Sequence, residues 1–174
     1  MQITLDTKAY AGVESDALVS YVFEEGEPVQ GRLAEIDAAA GGLLKKLAAS
    51  GEVTGKTLEF TLLHAPVGLK AARLLLVGAG KREAFNAATL RKVAGAALRY
   101  LKTRSVKNFA FLVHQNGATA DAAQALAEGF TTANFETDKY KTDKKNGKEI
   151  ESVAVVGFGE AEKAAGEKGL AVGK

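Results

Sequence analysis

Three groups of residues in this sequence have the type and spacing to do chemistry. They are the turn Gly78-Ala79-Gly80-Lys81, the histidines His64 and His114, and the lysines Lys139, Lys141, Lys144, Lys145 and Lys148. Closely spaced glycines beside a lysine are what a phosphate-binding loop needs, because backbone N–H groups can approach an anion where no Cβ intervenes. The detailed patterns fail, however. A dinucleotide fingerprint requires glycine at position 83, which is Glu83. A P-loop requires glycine at 75, which is Leu75, and Ser or Thr at 82, which is Arg82. Gly78 and Gly80 are therefore weak candidates for cofactor binding, and a tight strand exit is the favoured reading. His64 and His114 each follow a β-rich run, and no carboxylate lies near them with metal-ligand spacing. Packing or a surface position is expected for both. No serine stands in a Gly-x-Ser-x-Gly context, so a nucleophile elbow is absent. The five lysines could meet phosphates, but Tyr140 is the only aromatic among them, and base stacking has little support. No catalytic residue and no metal ligand is assigned.

The elements that must hold these residues are readable from periodicity. Leu74 to Val77 is a short apolar run closed by glycine, the pattern of a strand buried on both faces, and it is expected at the centre of the sheet. Asn86 is the expected N-cap of the next helix, with Phe85 and Leu90 at the positions of a hydrophobic staple. Leu90, Val93, Ala94, Ala97, Leu98 and Leu101 form one helical stripe. Earlier, Ile3 and Leu5 suggest a first strand and Ala17 to Phe23 a second. Leu33, Ile36, Ala40, Leu43, Leu44 and Leu47 predict one helix ending at Gly51, with close packing expected at Gly41-Gly42 inside it. Thr57 to Leu63 alternates Leu58, Phe60 and Leu62 on one face. The short link through Pro66 and Gly68 favours an antiparallel hairpin with the Leu74 strand. Phe109 to Val113 and Ser152 to Gly157 read as strands, Thr119 to about Ala133 as a helix, and the segment from Glu160 onward is helical in tendency. Lys139 to Lys148 reads as a surface loop. About six strands and four helices, mostly alternating, predict a three-layer α/β/α sandwich with a mixed, mostly parallel sheet.

Composition sets the outer bounds. A length of 174 residues suits one domain, or one domain with a tail. With 47% apolar and 25% charged residues the chain falls in the globular class. Basic and acidic residues number 23 and 21, and a net charge of +2 is too balanced to predict nucleic acid or membrane partners by itself. The absence of cysteine excludes disulfides, thiolate metal sites and a cysteine nucleophile. The first residues lack a signal-peptide pattern, and no apolar run approaches the ~20 residues of a membrane span, so a cytoplasmic location is expected.

The order of these pieces resembles the N-terminal domain of the leucyl aminopeptidase (cytosol aminopeptidase) family. The matching stretches are Arg73 to Lys81, Ala94-Gly95-Ala96-Ala97, Ala127-Glu128-Gly129-Phe130, Asp138-Lys139-Tyr140-Lys141-Thr142 and Gly169 to Lys174. Asn134-Phe135 departs from the expected pairing of two aromatics, which bears on local packing. The resemblance implies a macro-domain-like fold over residues 1–160, with 161–174 as the start of a linker helix toward a catalytic domain. It implies a parent enzyme that removes N-terminal residues from peptides with two divalent metals, zinc or manganese, held in its C-terminal domain. The family's Asn-Thr-Asp-Ala-Glu-Gly-Arg signature occurs nowhere in this chain, so no catalytic or metal-binding position carries over. The chain by itself is therefore expected to be a non-catalytic accessory domain acting in assembly or access. The family is hexameric, and the isolated domain is expected to be a monomer or weak dimer. Two other readings follow from the same resemblance. One is a nucleotide or ADP-ribose module cradled at Gly78 to Gly80, for which no binding is expected because the loop lacks a phosphate motif. The other is a DNA-binding domain using the lysine loop, expected to be weak.

Overall fold

The computed structural model describes residues 1–139 and 149–174, without the side chains of residues 115 and 136–139. Six strands form one sheet: β1 (Gln2–Asp6), β2 (Ala17–Val22), β3 (Phe60–His64), β4 (Arg73–Gly78), β5 (Asn108–Leu112) and β6 (Ser152–Val156). Their order is β1-β6-β5-β2-β4-β3. All neighbours are parallel except β3, which pairs antiparallel with β4 through Leu62↔Leu75 and Leu63↔Leu74. The short link through Pro66 and Gly68 thus makes the hairpin it predicts. Leu74 to Val77 is buried, but β4 lies one strand from the edge; the two central strands are β5 and β2, and β2 is buried along its whole length.

Five helices cover the two faces: α1 (Arg32–Ala39), α2 (Leu43–Ala49), α3 (Ala87–Lys102), α4 (Ala120–Lys139) and α5 (Lys163–Gly173). Side chains alternate across each strand, so one face gathers Val19, Tyr21, Leu75, Val77, Phe109, Phe111, Val153 and Val155 under the stripe of α3 and the apolar side of α4. The other gathers Leu18, Val22, Leu74, Leu76, Ala110 and Leu112 under Leu33, Ile36 and Leu44 of α1 and α2. This is the three-layer sandwich that the alternation of strands and helices predicts.

Several boundaries differ from the sequence reading, each for a local reason. The helix expected from Leu33 to Leu47 is two helices. Gly41 and Gly42 both take positive φ, 72° and 82°, and no heavy atom would lie within 4 Å of a Cβ at either position. The glycines turn the chain there; they do not make room for a neighbour. Asp37, 2% exposed, locks the break by accepting from the Leu44 N–H at 2.6 Å. The strand expected from Thr57 starts only at Phe60, because Leu58 adopts a φ of 58°. Its N–H donates to Gly78 O at 2.8 Å, so the segment is a loop strapped beside β4. The α4 helix runs to Lys139, past the expected end near Ala133. Asn86 caps α3 as expected, accepting from the Thr89 N–H at 3.0 Å.

Candidate functional site

The helix α1 follows β2 onto one face of the sheet, while α3 and α4 follow β4 and β5 onto the other. The chain therefore diverges at the carboxyl ends of the three adjacent parallel strands β5, β2 and β4, the place where open α/β sheets carry ligand crevices. A cavity of about 310 Å³ lies there, lined by Tyr21, Phe23, Gln30, Gly31, Arg32, Arg82, Phe85, His114, Asn116 and Gly117.

Tyr21 anchors its wall. Its ring stacks on the His114 imidazole at 4.0 Å between centroids and 8° between planes, and on Phe85 at 5.4 Å. Phe23 stands edge-on to Phe85 and to His114. The His114 N–H donates to Tyr21 Oη at 3.2 Å. Its ring Nε2 lies 2.7 Å from Tyr21 O, and since a carbonyl only accepts, Nε2 carries the proton of the neutral ring. Burial pulls the His114 pKa from 6.5 down to about 4, helped by the nearby Arg82 and Arg32 charges and opposed by the bond to Tyr21 O. Burial likewise raises the Tyr21 pKa. Both rings are thus neutral at physiological pH and form an apolar wall.

The charge comes from two arginines. Arg32 Nη1 donates to Val113 O at 2.6 Å, which ties the start of α1 to the end of β5. Gly157 lies beside it with a φ of 101°, a backbone conformation that residues with a Cβ rarely adopt. The Arg82 guanidinium sits 4.3 Å from the centroid of the Phe23 ring, a cation–π contact. No carboxylate lines the cavity, and among the described residues neither arginine is ion-paired. The arrangement can hold an anion beside a planar apolar group. Nothing among these side chains is placed as a nucleophile with its base.

The sequence-based site residues lie elsewhere. The Gly78–Gly80 turn packs against residues 55–59 of its own chain. A Cβ at Gly78 would be 1.7 Å from Lys56 O, and one at Gly80 would be 2.6 Å from Thr57 Oγ1. The Gly78, Ala79 and Gly80 N–H groups donate to Glu59 O, Val22 O and Gly55 O at 2.8, 2.8 and 2.9 Å. A cradle needs those donors free; here all three are used, and close backbone packing is why the glycines are present. Lys81 points to Glu25 at 3.6 Å. His64 is exposed at the end of β3 and is not brought to the cavity. Lys139 ends α4, while Lys141, Lys144, Lys145 and Lys148 lie outside the described residues. Among the described residues no three His, Cys, Asp or Glu side chains group to hold a metal, so this part of the chain does not fit a two-metal centre. Asn134, the departure from the expected aromatic pair, instead accepts from the ammonium of the largely buried Lys102 at 3.3 Å.

Comparison with known proteins completes the picture. Residues 19–144 match the model of the cytosol aminopeptidase family, N-terminal domain. A probable cytosol aminopeptidase of Solibacter usitatus is 43% identical over 157 residues, covering 90% of this chain and 30% of that protein. Its counterpart in Koribacter versatilis is 36% identical over 165 residues, 83% of this chain and 32% of that one. The chain thus spans about a third of the length of these relatives. Among solved structures, a tomato leucine aminopeptidase mutant shares the fold with a TM-score of 0.72 at 20% identity, over 96% of this chain and 35% of that one. A Trypanosoma brucei macrodomain in complex with ADP shares it with a TM-score of 0.71 at 18% identity, over 97% of this chain and 68% of that one. Six-stranded mixed sheet, three layers, family match and shared length agree: the chain belongs to the cytosol aminopeptidase family, of which it is the N-terminal domain.

Proposed function

We propose that this domain does no chemistry itself and serves as the accessory domain of a cytoplasmic metallo-aminopeptidase, contributing to its assembly or to substrate access. The observation that carries the reading is the match of residues 19–144 to the N-terminal domain of the family, over a chain whose described residues include no metal-holding group. Two divalent metals, zinc or manganese, would be held by the C-terminal catalytic domain, where they would activate water for peptide hydrolysis. The domain body is taken as residues 1–160, and 161–174 as the start of the helix leading to that partner domain. The α5 helix within it is held close to α4, since a Cβ at Gly169 would lie 2.1 Å from Ala120 O. The parent is read as a homohexamer centred on its catalytic domains, and the isolated domain as a monomer or weak dimer.

The test is turnover of leucine p-nitroanilide by the pure 174-residue chain with added zinc or manganese. No turnover is expected. Chelator-sensitive hydrolysis by pure material would overturn the reading.

A further inference from the structure

The outer edge of β3 lies away from the cavity and is left open by the fold. β3 is the last strand of the sheet, and its one neighbour is β4. At one end of that pairing the Gly78 N–H donates to Glu59 O at 2.8 Å; at the other the Ala65 N–H donates to Ala72 O at 2.9 Å. Antiparallel ladders alternate, so residues 59, 61, 63 and 65 turn their backbone groups toward β4. Phe60, Leu62 and His64 therefore turn their N–H and C=O groups outward, and no protein group among the described residues pairs with that row. Edges of this kind are usually blunted by lysine, proline, a bulge or a covering element. The strand Phe60-Thr61-Leu62-Leu63-His64 contains no lysine, acid or proline. Its first four residues are half-buried and His64 is exposed, so the edge is reachable along its length. β1, at the opposite edge, ends in Asp6, a charge that discourages pairing. Two of the chain's exposed large apolar residues also flank β3: Leu58, 37% exposed, precedes it, and Val67, 69% exposed, follows it.

We propose that β3 pairs with β3 of a second copy of this chain, antiparallel about a two-fold axis at Leu62, joining the two sheets into one. The register follows from the outward row. With Leu62 opposite Leu62, Phe60 meets His64, and each outward residue exchanges both backbone bonds with its opposite. No like charges face each other across such a pair. The same register brings the Leu58 end of each strand beside the Pro66–Val67 turn of the other, so the exposed apolar residue at one end is covered by the one at the other. An unrelated extended peptide would gain the backbone bonds without that reciprocal cover, which is why a second copy is the better occupant. The contact is isologous and closes at the dimer, because each β3 edge is consumed by the other. One short strand and its flanks bury less than the ~1,200 Å² of a standard interface, so the dimer exchanges readily with monomer. The pairing depends on this edge alone and stands or falls independently of the accessory role.

The experiment is sedimentation velocity of the 174-residue chain from micromolar to millimolar concentration, with residue-resolved amide hydrogen exchange at the two extremes. The average mass should rise from that of the 18.2 kDa monomer toward twice that value. The Phe60, Leu62 and His64 amides should exchange fast when dilute and become protected when concentrated. The Thr61 and Leu63 amides, bonded to β4, should be protected throughout. Thr61→Lys places in the edge the residue that natural edges use against pairing, and should weaken association roughly tenfold or more. Val67→Lys, at an exposed turn position that carries no fold, should weaken it in the same direction. Val172→Lys, 63% exposed on α5, should leave it unchanged. A chain that stays monomeric at millimolar concentration would overturn the proposal. So would a dimer whose newly protected amides lie outside β3, or a Thr61→Lys protein of unchanged melting temperature that associates as well as wild type. Should Thr61→Lys fail to fold, the exchange pattern of the wild-type chain and the Val67→Lys comparison decide by themselves: unchanged association of Val67→Lys together with fast exchange at Leu62 in the dimer rejects the pairing.

Discussion

His114 shows why single residues of this site could not be read in advance. The sequence offers it as a histidine after a strand with no ligand spacing around it, and packing is what that suggests. The structure does pack it, face to face with Tyr21, but within the wall of a cavity that also holds two arginines. Those partners come from residues 21–23, 30–32, 82–85 and 114–117, and no local pattern joins them. A pH dependence follows from the burial. The folded pKa of about 4 lies below the ordinary 6.5, so the unfolded chain binds the extra proton first as pH falls. Stability linked to this ring is therefore complete above pH ~6.5 and is lost progressively toward pH ~4. The full loss is on the order of 3 kcal/mol. Urea melts at pH 7 and pH 4.5 should show a clearly larger drop for the wild-type chain than for His114→Phe, because that variant cannot titrate there. Equal drops in the two proteins would mean that the imidazole is solvated after all.

At the scale of elements, hydrophobic period identifies most strands and helices, while a glycine's role depends on tertiary neighbours that the sequence does not display. The pair Gly41-Gly42, where the sequence predicts a close neighbour, serves a positive-φ turn between α1 and α2. Gly78 and Gly80, weak ligand candidates for which a tight strand exit is the favoured reading, let residues 55–57 approach. The glycines that do press elements together, Gly129 in α4 with Gly169 and Gly173 in α5, carry no turn signal and read in sequence as weak points in helices. A Cβ on Gly129 would lie 2.4 Å from Arg91 O of α3, and one on Gly173 would lie 2.4 Å from Gln124 O of α4. Real Cβ atoms do not approach backbone that closely, so substitution must part the helices. Gly169→Ala should therefore destabilise by about 1–3 kcal/mol, the usual cost of overpacking, even though alanine is the better helix former. Gly12→Ala is the control: nothing lies within 4 Å of a Cβ there and its φ is not positive. Thermal melts should show Gly169→Ala clearly below wild type and Gly12→Ala within experimental error of it. A Gly169→Ala protein as stable as wild type would mean that α5 does not rest on α4 in solution.

For the whole molecule, the layer architecture was legible because it follows from alternation of elements, whereas strand order was not. The chain places β2 between β4 and β5, although α3 connects those two directly in sequence. That non-sequential order creates the crevice, so the site was hidden for the same topological reason. Charge, by contrast, is read straight from composition and bears on nucleic acid. The whole chain is only +2, and the five lysines from Lys139 to Lys148 are interrupted by Asp143 and flanked by Asp138 and Glu149. On α3, the long helix with most surface basic residues, Arg91 is already engaged with Glu128 at 3.0 Å, and Lys102 is 8% exposed and bonded to Asn134. No free row of Arg or Asn is left on it to read base edges. DNA binding by this domain should then be weak, independent of sequence and steeply salt-dependent, because counterion release is its only source. Gel-shift titration should show a smear at low salt that vanishes near physiological salt. A discrete complex that survives that salt, and is lost when Lys144→Glu and Lys145→Glu are combined, would instead make the lysine segment a true nucleic-acid contact.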